Sequence, residues 1–218
     1  MPILDAITQD LDWREGELAS MRLLLMRRDL SPLQRETLLR AAWALLYAHY
    51  EGFCKTSLTL FYEEISSRDL QCRNLPLVTQ LQALEKEIKD LKNMTSADAL
   101  QKIRTFEASH LHKPPVFGDV DTKSNLWPDL LIELLAMADL ASEEVEANKR
   151  QLKTLVARRN EIAHGRKNFI SEVSYYLVYE RAVYEVMYDL ALGIDSRLRK
   201  PPYEHSQAQE MSGLSAQA

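Results

Sequence analysis

Glycine and cysteine are both scarce in this chain. Only 6 of the 218 residues are glycine, less than half of the usual frequency of about 7%. Since β-sandwiches and barrels need many glycine-containing turns, the low glycine content argues against an all-β fold. The two cysteines, Cys54 and Cys72, show no CxxC spacing. This excludes a disulfide-rich scaffold or a zinc-finger pattern and favours a reduced pair over a single disulfide.

Long apolar runs and an excess of positive charge are also absent. The apolar stretches, such as residues 41–47, are far shorter than the ~18 residues that cross a bilayer. The N-terminal residues lack the basic and apolar regions of a secretory signal, so we expect a cytoplasmic protein without membrane contact. The net charge of −5 excludes a generally basic nucleic-acid coat, and any nucleic-acid contact must come from a local patch.

Helical periodicity dominates the remaining sequence. Apolar residues recur at the spacing of a helix in residues 3–29, 32–65 and 171–199, and no segment has the alternation of a strand. We therefore predict an all-α bundle of about five to seven helices. A single domain is expected over residues 1–200, followed by a polar, disordered tail over residues 201–218.

Serine residues and one long irregular segment divide these helices. Residues 109–125 contain two prolines and a glycine and have little periodicity, which predicts an unusually long loop. Further helices are expected from Pro76 to about residue 92, over 97–108 and over 128–138. Four serines stand where helices are expected to begin, and we predict that they are N-caps: Ser31, Ser96, Ser142 and Ser171.

Common catalytic and metal-binding motifs are missing. The sequence contains no phosphate-binding glycine loop, no nucleophile elbow and no HExxH motif. His110 and His112 form an H-x-H pair that, with Asp119 or Asp121, has the residue types of a metal site, although two solvated loop histidines are the simpler interpretation. We predict no metal and no cofactor.

The most informative segment is A-R-R-N-E-I-A-H-G-R-K, residues 157–167. Asn160 and His164 are four positions apart and share a helix face. Arg159 offers a planar guanidinium that holds phosphate oxygens, and His164 can move a proton to or from an attacking or leaving oxygen. Together these groups suit cleavage of a phosphodiester.

A purely structural interpretation of the same segment is also open. His164 is expected in the last turn of a helix, where the negative end of the helix dipole favours imidazolium. Gly165 stands where a terminating glycine belongs. Basic residues followed by glycine are also typical of an ordinary helix C-terminus, and spacing alone does not separate the two interpretations.

Three segments together resemble one protein family. R-N-E-I-A-H, residues 159–164, resembles the R-(polar)-x-x-x-H motif of the HEPN superfamily. Residues 43–55, W-A-L-L-Y-A-H-Y-E-G-F-C-K, and residues 121–131, which contain S-N-L, are similar to segments of its MAE-type branch of HEPN-like nucleases. The three segments follow in the expected order.

The resemblance implies a four-helix core with accessory helices, and a homodimer that joins two motifs in one cleft. It also implies a metal-independent endoribonuclease that acts as a toxin or in anti-phage defence, with RNA as substrate and an antitoxin or a defence-system protein as partner. The implied catalytic residues are Arg159, Asn160 and His164. In one HEPN subgroup an antitoxin modifies a tyrosine two residues after the motif histidine, and Arg166 occupies that position here.

Other residues near the motif are candidates for supporting roles. Glu51 either orients Arg159 or His164 or forms an ordinary ion pair or hydrogen bond. The residues predicted to support the site or to bind RNA are Glu51, Arg158, Glu161, Arg166 and Lys167. For the charged residues around the motif, a solvated helix end is the alternative. Two other functions are carried forward, namely a non-catalytic HEPN module that binds RNA or protein, and a structural helical adaptor.

Overall fold

The computed structural model describes residues 3–167 and 172–204. Over these residues the chain forms nine α-helices and no strand, so the predicted all-α fold is confirmed. The helices are α1 (Ile3–Leu25), α2 (Pro32–Ser67), α3 (Leu77–Ala83), α4 (Glu85–Asn93), α5 (Ser96–Phe106), α6 (Pro128–Met137), α7 (Glu143–Ala147), α8 (Lys149–Ala163) and α9 (Val173–Leu198).

Helix α2 is the central element of the fold. The Ser31 hydroxyl accepts a hydrogen bond from the Gln34 N–H, the Gln34 side chain accepts one from the Ser31 N–H, and Pro32 fills the first helical position. This capping box satisfies two N–H groups that the helix itself leaves unpaired. The helix then runs for 36 residues, a length of about 54 Å.

Three helices pack around α2 and complete a four-helix core. Helices α1, α8 and α9 all contact α2, and α9 also contacts α1 and α8. Leu18, Trp43, Leu155 and Met187, one from each helix, are fully buried. Because neighbours cover α2 on several sides, its middle is apolar nearly all round. The four-helix core implied by the family resemblance is confirmed.

The accessory helices differ in detail from the sequence prediction. The region that begins after Pro76 is divided at Leu84, which is buried in a small second cluster with Cys72 and Ala83. The helix that begins after Ser142 is divided at Asn148, whose side-chain amide donates to the Glu144 carbonyl and so competes with the helical hydrogen bonds. These two divisions explain why the helices outnumber the five to seven expected.

The four predicted N-caps have different outcomes. Ser31 and Ser142 cap their helices as predicted. The prediction for Ser96 is wrong, because the Thr95 hydroxyl accepts from the Asp98 N–H one residue earlier. Ser171 lies outside the described residues.

The two cysteines are buried and not bonded to each other. The long connection between α5 and α6 begins with a π-helical turn at Glu107–Leu111 and then follows an irregular path. Val120 and Leu126 in this connection are buried in the main core, which fixes its second half against the bundle. Over the residues described, no helix combines the length and the apolar character that crossing a membrane requires.

Core packing continues past residue 200, where the domain was expected to end. Tyr203 is fully buried, its ring packs against Phe61, and its hydroxyl lies 3.0 Å from the Thr79 hydroxyl. The Arg197 guanidinium covers the other side of the ring at 4.4 Å from its centre. The domain therefore includes Tyr203, whereas residues 205–218 of the predicted tail lie outside the described residues.

Replacing Tyr203 with alanine should lower the free energy of unfolding by about 3–5 kcal/mol, because a large buried side chain leaves a cavity. Tyr203→Phe keeps the ring but leaves the Thr79 hydroxyl, which is buried, without its partner. The free energy of unfolding of Tyr203→Phe should fall by only about 1–3 kcal/mol. Urea denaturation followed by circular dichroism measures both values. Wild-type stability in Tyr203→Ala would place the residue outside the folded domain.

Candidate functional site

Three distant segments of the chain meet beside the middle of α2. The Tyr47 hydroxyl of α2 accepts a hydrogen bond from the Leu126 N–H at 2.9 Å. Arg159 of α8 donates from Nη1 to the Oδ1 atom of Asn125 at 3.0 Å. The connection that precedes α6 is thus attached to α2 by its backbone and to α8 by its Asn125 side chain.

The Arg159 guanidinium is held by neutral groups. Besides Asn125, Nη1 donates to Oδ1 of Asn160 at 3.0 Å, and the guanidinium carbon lies 4.6 Å from the centre of the Tyr47 ring. None of the described carboxylates is within ion-pair distance of Arg159. Since amide oxygens and an aromatic face orient the guanidinium without neutralising it, its positive charge remains available to an anion.

Tyr47 is nearly inaccessible to solvent and remains a neutral phenol at physiological pH. Burial raises the pKa of Tyr47 to about 12, the Leu126 N–H opposes this rise, and the carboxylate of Glu51 adds to it. Glu51 stands one turn further along α2 and is half-buried. Its charge therefore acts on the Tyr47 hydroxyl, and it forms no ion pair with Arg159.

The end of α8 is closed by backbone hydrogen bonds. His164 is the C-cap residue, and Gly165 follows with a φ of 70°, in the left-handed region that glycine adopts without strain. The terminal carbonyls of Asn160, Ile162 and Glu161 accept from the N–H groups of His164, Gly165 and Arg166 respectively. The last two bonds form a Schellman motif, so the helix end is satisfied without the His164 imidazole.

The His164 side chain is exposed, and over the described residues it has no hydrogen bond, ion pair or ring contact. The sequence left open that the imidazole caps the helix end. No hydrogen bond among the described residues supports this structural role. Arg159 and His164 lie five positions apart, and the structure has no contact between their side chains within this part of the chain.

The other predicted site residues lie around the same end of α8. The guanidinium carbon of Arg158 lies 5.9 Å from the Trp43 ring centre. The backbone carbonyl of Arg166 accepts from Nη1 of Arg40 at 2.9 Å, while its side chain is exposed. Lys167 is exposed and Glu161 is half-buried.

Sequence reasoning missed two residues of this site, Asn125 and Tyr47. Both lie within segments that carry the family resemblance, the S-N-L segment and the helix that contains H-Y-E-G-F. The signal was thus present, but neither residue type has an obvious catalytic use. Only the fold shows that Asn125 and Tyr47 meet at the guanidinium of Arg159.

His49 and Gly52 of the H-Y-E-G-F segment serve the packing of α1. His49 Nε2 lies 2.8 Å from the Glu17 carboxylate, and burial is the main cause of the lowered pKa of His49. Arg14, bound to both carboxylate oxygens of Asp10, lies directly over Gly52, where a Cβ atom would be 2.8 Å from Nη1. His49 is therefore a core histidine bonded to Glu17 and Arg14 of α1.

The H-x-H pair makes no obvious metal centre. His112 Nε2 lies 3.3 Å from the Glu107 carboxylate, and Arg73 approaches the same ring. Among the residues that the structure describes, no three histidine, cysteine, aspartate or glutamate side chains are close enough to hold a metal ion.

Comparison with known proteins identifies a family. The family model for MAE-like HEPN domains matches residues 3–203, which is nearly the whole of the described chain. No curated protein and no solved structure matches the chain.

Replacing Tyr47 with phenylalanine should lower the free energy of unfolding by about 1–3 kcal/mol, since the buried Leu126 N–H loses its acceptor. Tyr188→Phe is the matched control, because the Tyr188 hydroxyl contacts Glu15 at an exposed position. It should change stability by less than about 0.5 kcal/mol. Chemical denaturation of the two variants tests this, and equal stabilities would show that the Tyr47 hydroxyl does not fix the connection.

Proposed function

Because the chain belongs to the MAE-like HEPN family, we propose that it is an endoribonuclease that cleaves RNA without a metal ion. The observation that carries this proposal is the state of Arg159. Its guanidinium is oriented by Asn125, Asn160 and the Tyr47 ring and has no carboxylate partner in the described chain. A fixed, unneutralised guanidinium beside a helix end is suited to hold a phosphodiester.

The chemistry needs only groups that this chain has. In transphosphorylation the RNA 2′-OH attacks the adjacent phosphorus atom, and a base removes the hydroxyl proton. The bond from phosphorus to the 5′-oxygen breaks, an acid gives this oxygen a proton, and the products are a 2′,3′-cyclic phosphate and a 5′-hydroxyl. Arg159 would stabilise the charge that develops on the phosphate oxygens, and an exposed imidazole such as His164 serves as base or acid.

A homodimer would complete the site. Each chain has one histidine in the motif, whereas the reaction needs a base and an acid at the same time. Twofold symmetry that brings the ends of two α8 helices together would supply His164 twice. Asn160 is neutral and accepts a hydrogen bond from Arg159, so it would position the guanidinium within each half of the composite cleft.

The charged residues around the motif have proposed supporting roles. Arg166 and Lys167 are exposed and Arg158 is half-buried, so these cations are available for RNA phosphates. Glu161 and Glu51 are proposed to support the site from α8 and α2. A role as a toxin or anti-phage effector in the cytoplasm, with an antitoxin or defence-system protein as partner, follows from the family alone.

The acidic composition favours one alternative. With a net charge of −5, the surface as a whole does not attract RNA, which favours a structural helical adaptor. The non-catalytic HEPN module that binds RNA or protein is the other alternative. Incubating the pure protein with total RNA in EDTA distinguishes these functions. Cleavage products that end in cyclic phosphates support the nuclease, and intact RNA supports the binding module.

His164→Ala should abolish this cleavage, because acid–base groups contribute roughly 10²–10⁴-fold to rate. Arg159→Ala should abolish it too, because the charge that develops on the phosphate oxygens then loses its guanidinium. Arg159→Lys should fail as well, since an ammonium group cannot reproduce the planar fork. The free energy of unfolding of His164→Ala should lie within about 0.5 kcal/mol of the wild-type value. Cleavage assays on each variant, alongside denaturation curves, measure the difference. Wild-type cleavage by His164→Ala would refute the assignment of the nuclease to this motif.

Mixing subunits tests the composite site. If each active cleft needs a His164 from both chains, a large excess of His164→Ala should draw the wild-type chain into inactive mixed dimers and suppress its RNA cleavage. The double variant Arg159→Ala, His164→Ala should act in the same way if it still dimerises, which light scattering shows. Undiminished wild-type activity in the mixture, with exchange of subunits verified, would mean that each chain works alone.

A further inference from the structure

A cavity opens next to the residue that holds Arg159. Its volume is about 370 Å³, within the range of about 300–1,000 Å³ for small-molecule sites. It is lined by Lys123, Ser124, Asn125, Trp127, Leu130 and Glu133. Asn125 both lines the cavity and accepts the hydrogen bond from Arg159, so the cavity adjoins the candidate site.

Trp127 gives the cavity an aromatic wall. The residue is 38% exposed, and no described aromatic ring or cation packs against its indole. Leu130, half-buried in α6, adds apolar surface to the same cavity. RNA is recognised largely through unstacked bases that lie on aromatic side chains, and an exposed indole beside a phosphate-binding arginine has the chemistry for this.

Two charged residues at the cavity discriminate between the parts of a nucleotide. The Lys123 ammonium group forms no ion pair with any described carboxylate. The backbone of Lys123 has a φ of 51°, and its N–H donates a hydrogen bond to the Asp121 side chain at 2.7 Å. A non-glycine residue with this φ is uncommon and is kept there by its surroundings. Glu133 presents a carboxylate, which repels phosphate, so the base is the part of a nucleotide that suits the cavity.

We propose that the cavity at Trp127 binds the unpaired base of a nucleotide next to the cleaved phosphate, with the base stacked on the indole and a neighbouring phosphate at Lys123. This inference rests on the proposed function and specifies its substrate. The substrate is a single strand or a loop, because a base within a duplex is stacked on its neighbours and not available to the cavity.

The probe is a short, dye-labelled DNA strand with a single ribonucleotide, which fixes the position of cleavage. In a second set of strands, each nucleotide beside the ribonucleotide is replaced in turn by an abasic residue. Binding is measured by fluorescence anisotropy with the His164→Ala protein, and cleavage is measured separately with the wild-type chain. Binding and chemistry are thereby read independently.

Removing the base at one flanking position should raise Kd by about 5- to 150-fold, the range reported for one base stacked on an aromatic side chain. The Trp127→Leu protein should bind the intact strand as weakly as the protein with Trp127 binds the abasic strand. Removing the base should then weaken binding to Trp127→Leu no further, so the effects of the two changes are not additive. Trp127→Phe should keep most of the affinity because it keeps an aromatic face. Trp13→Leu is the matched control, since Trp13 is 51% exposed on α1 and outside the cavity.

The outcomes separate this inference from the proposed function. If Trp127→Leu binds and cleaves the intact strand like wild type, the subsite is refuted although the nuclease remains. If the strand binds with the expected dependence on Trp127 but is never cleaved by the wild-type chain, the subsite is supported and the nuclease is refuted. Absence of binding to every strand would overturn both.

Discussion

The hydrogen bond from Arg159 to Asn125 is the contact on which the geometry of the candidate site depends. It joins α8 to the connection before α6, and the Tyr47 hydroxyl joins that connection to α2 through the Leu126 N–H. Since α2 is covered by α1, α8 and α9, Tyr47 has little freedom to move. The rigid four-helix core thereby fixes the position of the Arg159 guanidinium, which is half-buried.

Arg159 differs in its partners from two arginines that pack against the core. Arg14 is bound by both oxygens of Asp10, and Arg22 lies 3.3 Å from the buried carboxylate of Glu180. These pairs neutralise charge that the core would otherwise have to solvate. Arg159 is instead held by amide oxygens and by the face of a ring, which fix its direction and leave its charge. Such an arrangement orients the guanidinium and leaves its charge for an anion.

Local sequence patterns predicted most of the fold but only part of the site. The capping box at Ser31 and the helical periodicity act over a few residues, so α2 could be predicted from them. The Asn148 amide that interrupts the helix also donates to the distant Glu185 carboxylate, and Leu84 packs against Cys72. The burial of Tyr203 involves Thr79, which is distant in sequence. Arg159 and His164 are visible as a motif, but the meeting of Asn125 with Arg159 exists only after folding, so no spacing rule reveals it.

The two motif residues are constrained to different degrees, and this difference bears on the proposed dimer. Arg159 has three contacts within its own chain, whereas the exposed imidazole of His164 has no partner over the described residues. The Schellman motif satisfies the end of α8 without this side chain. Proton transfer requires a positioned imidazole. Under the proposed nuclease function, a fixed arginine without described contacts to the histidine is half of the site, and a second copy of the same surface is the simplest source of contacts that would hold the histidine.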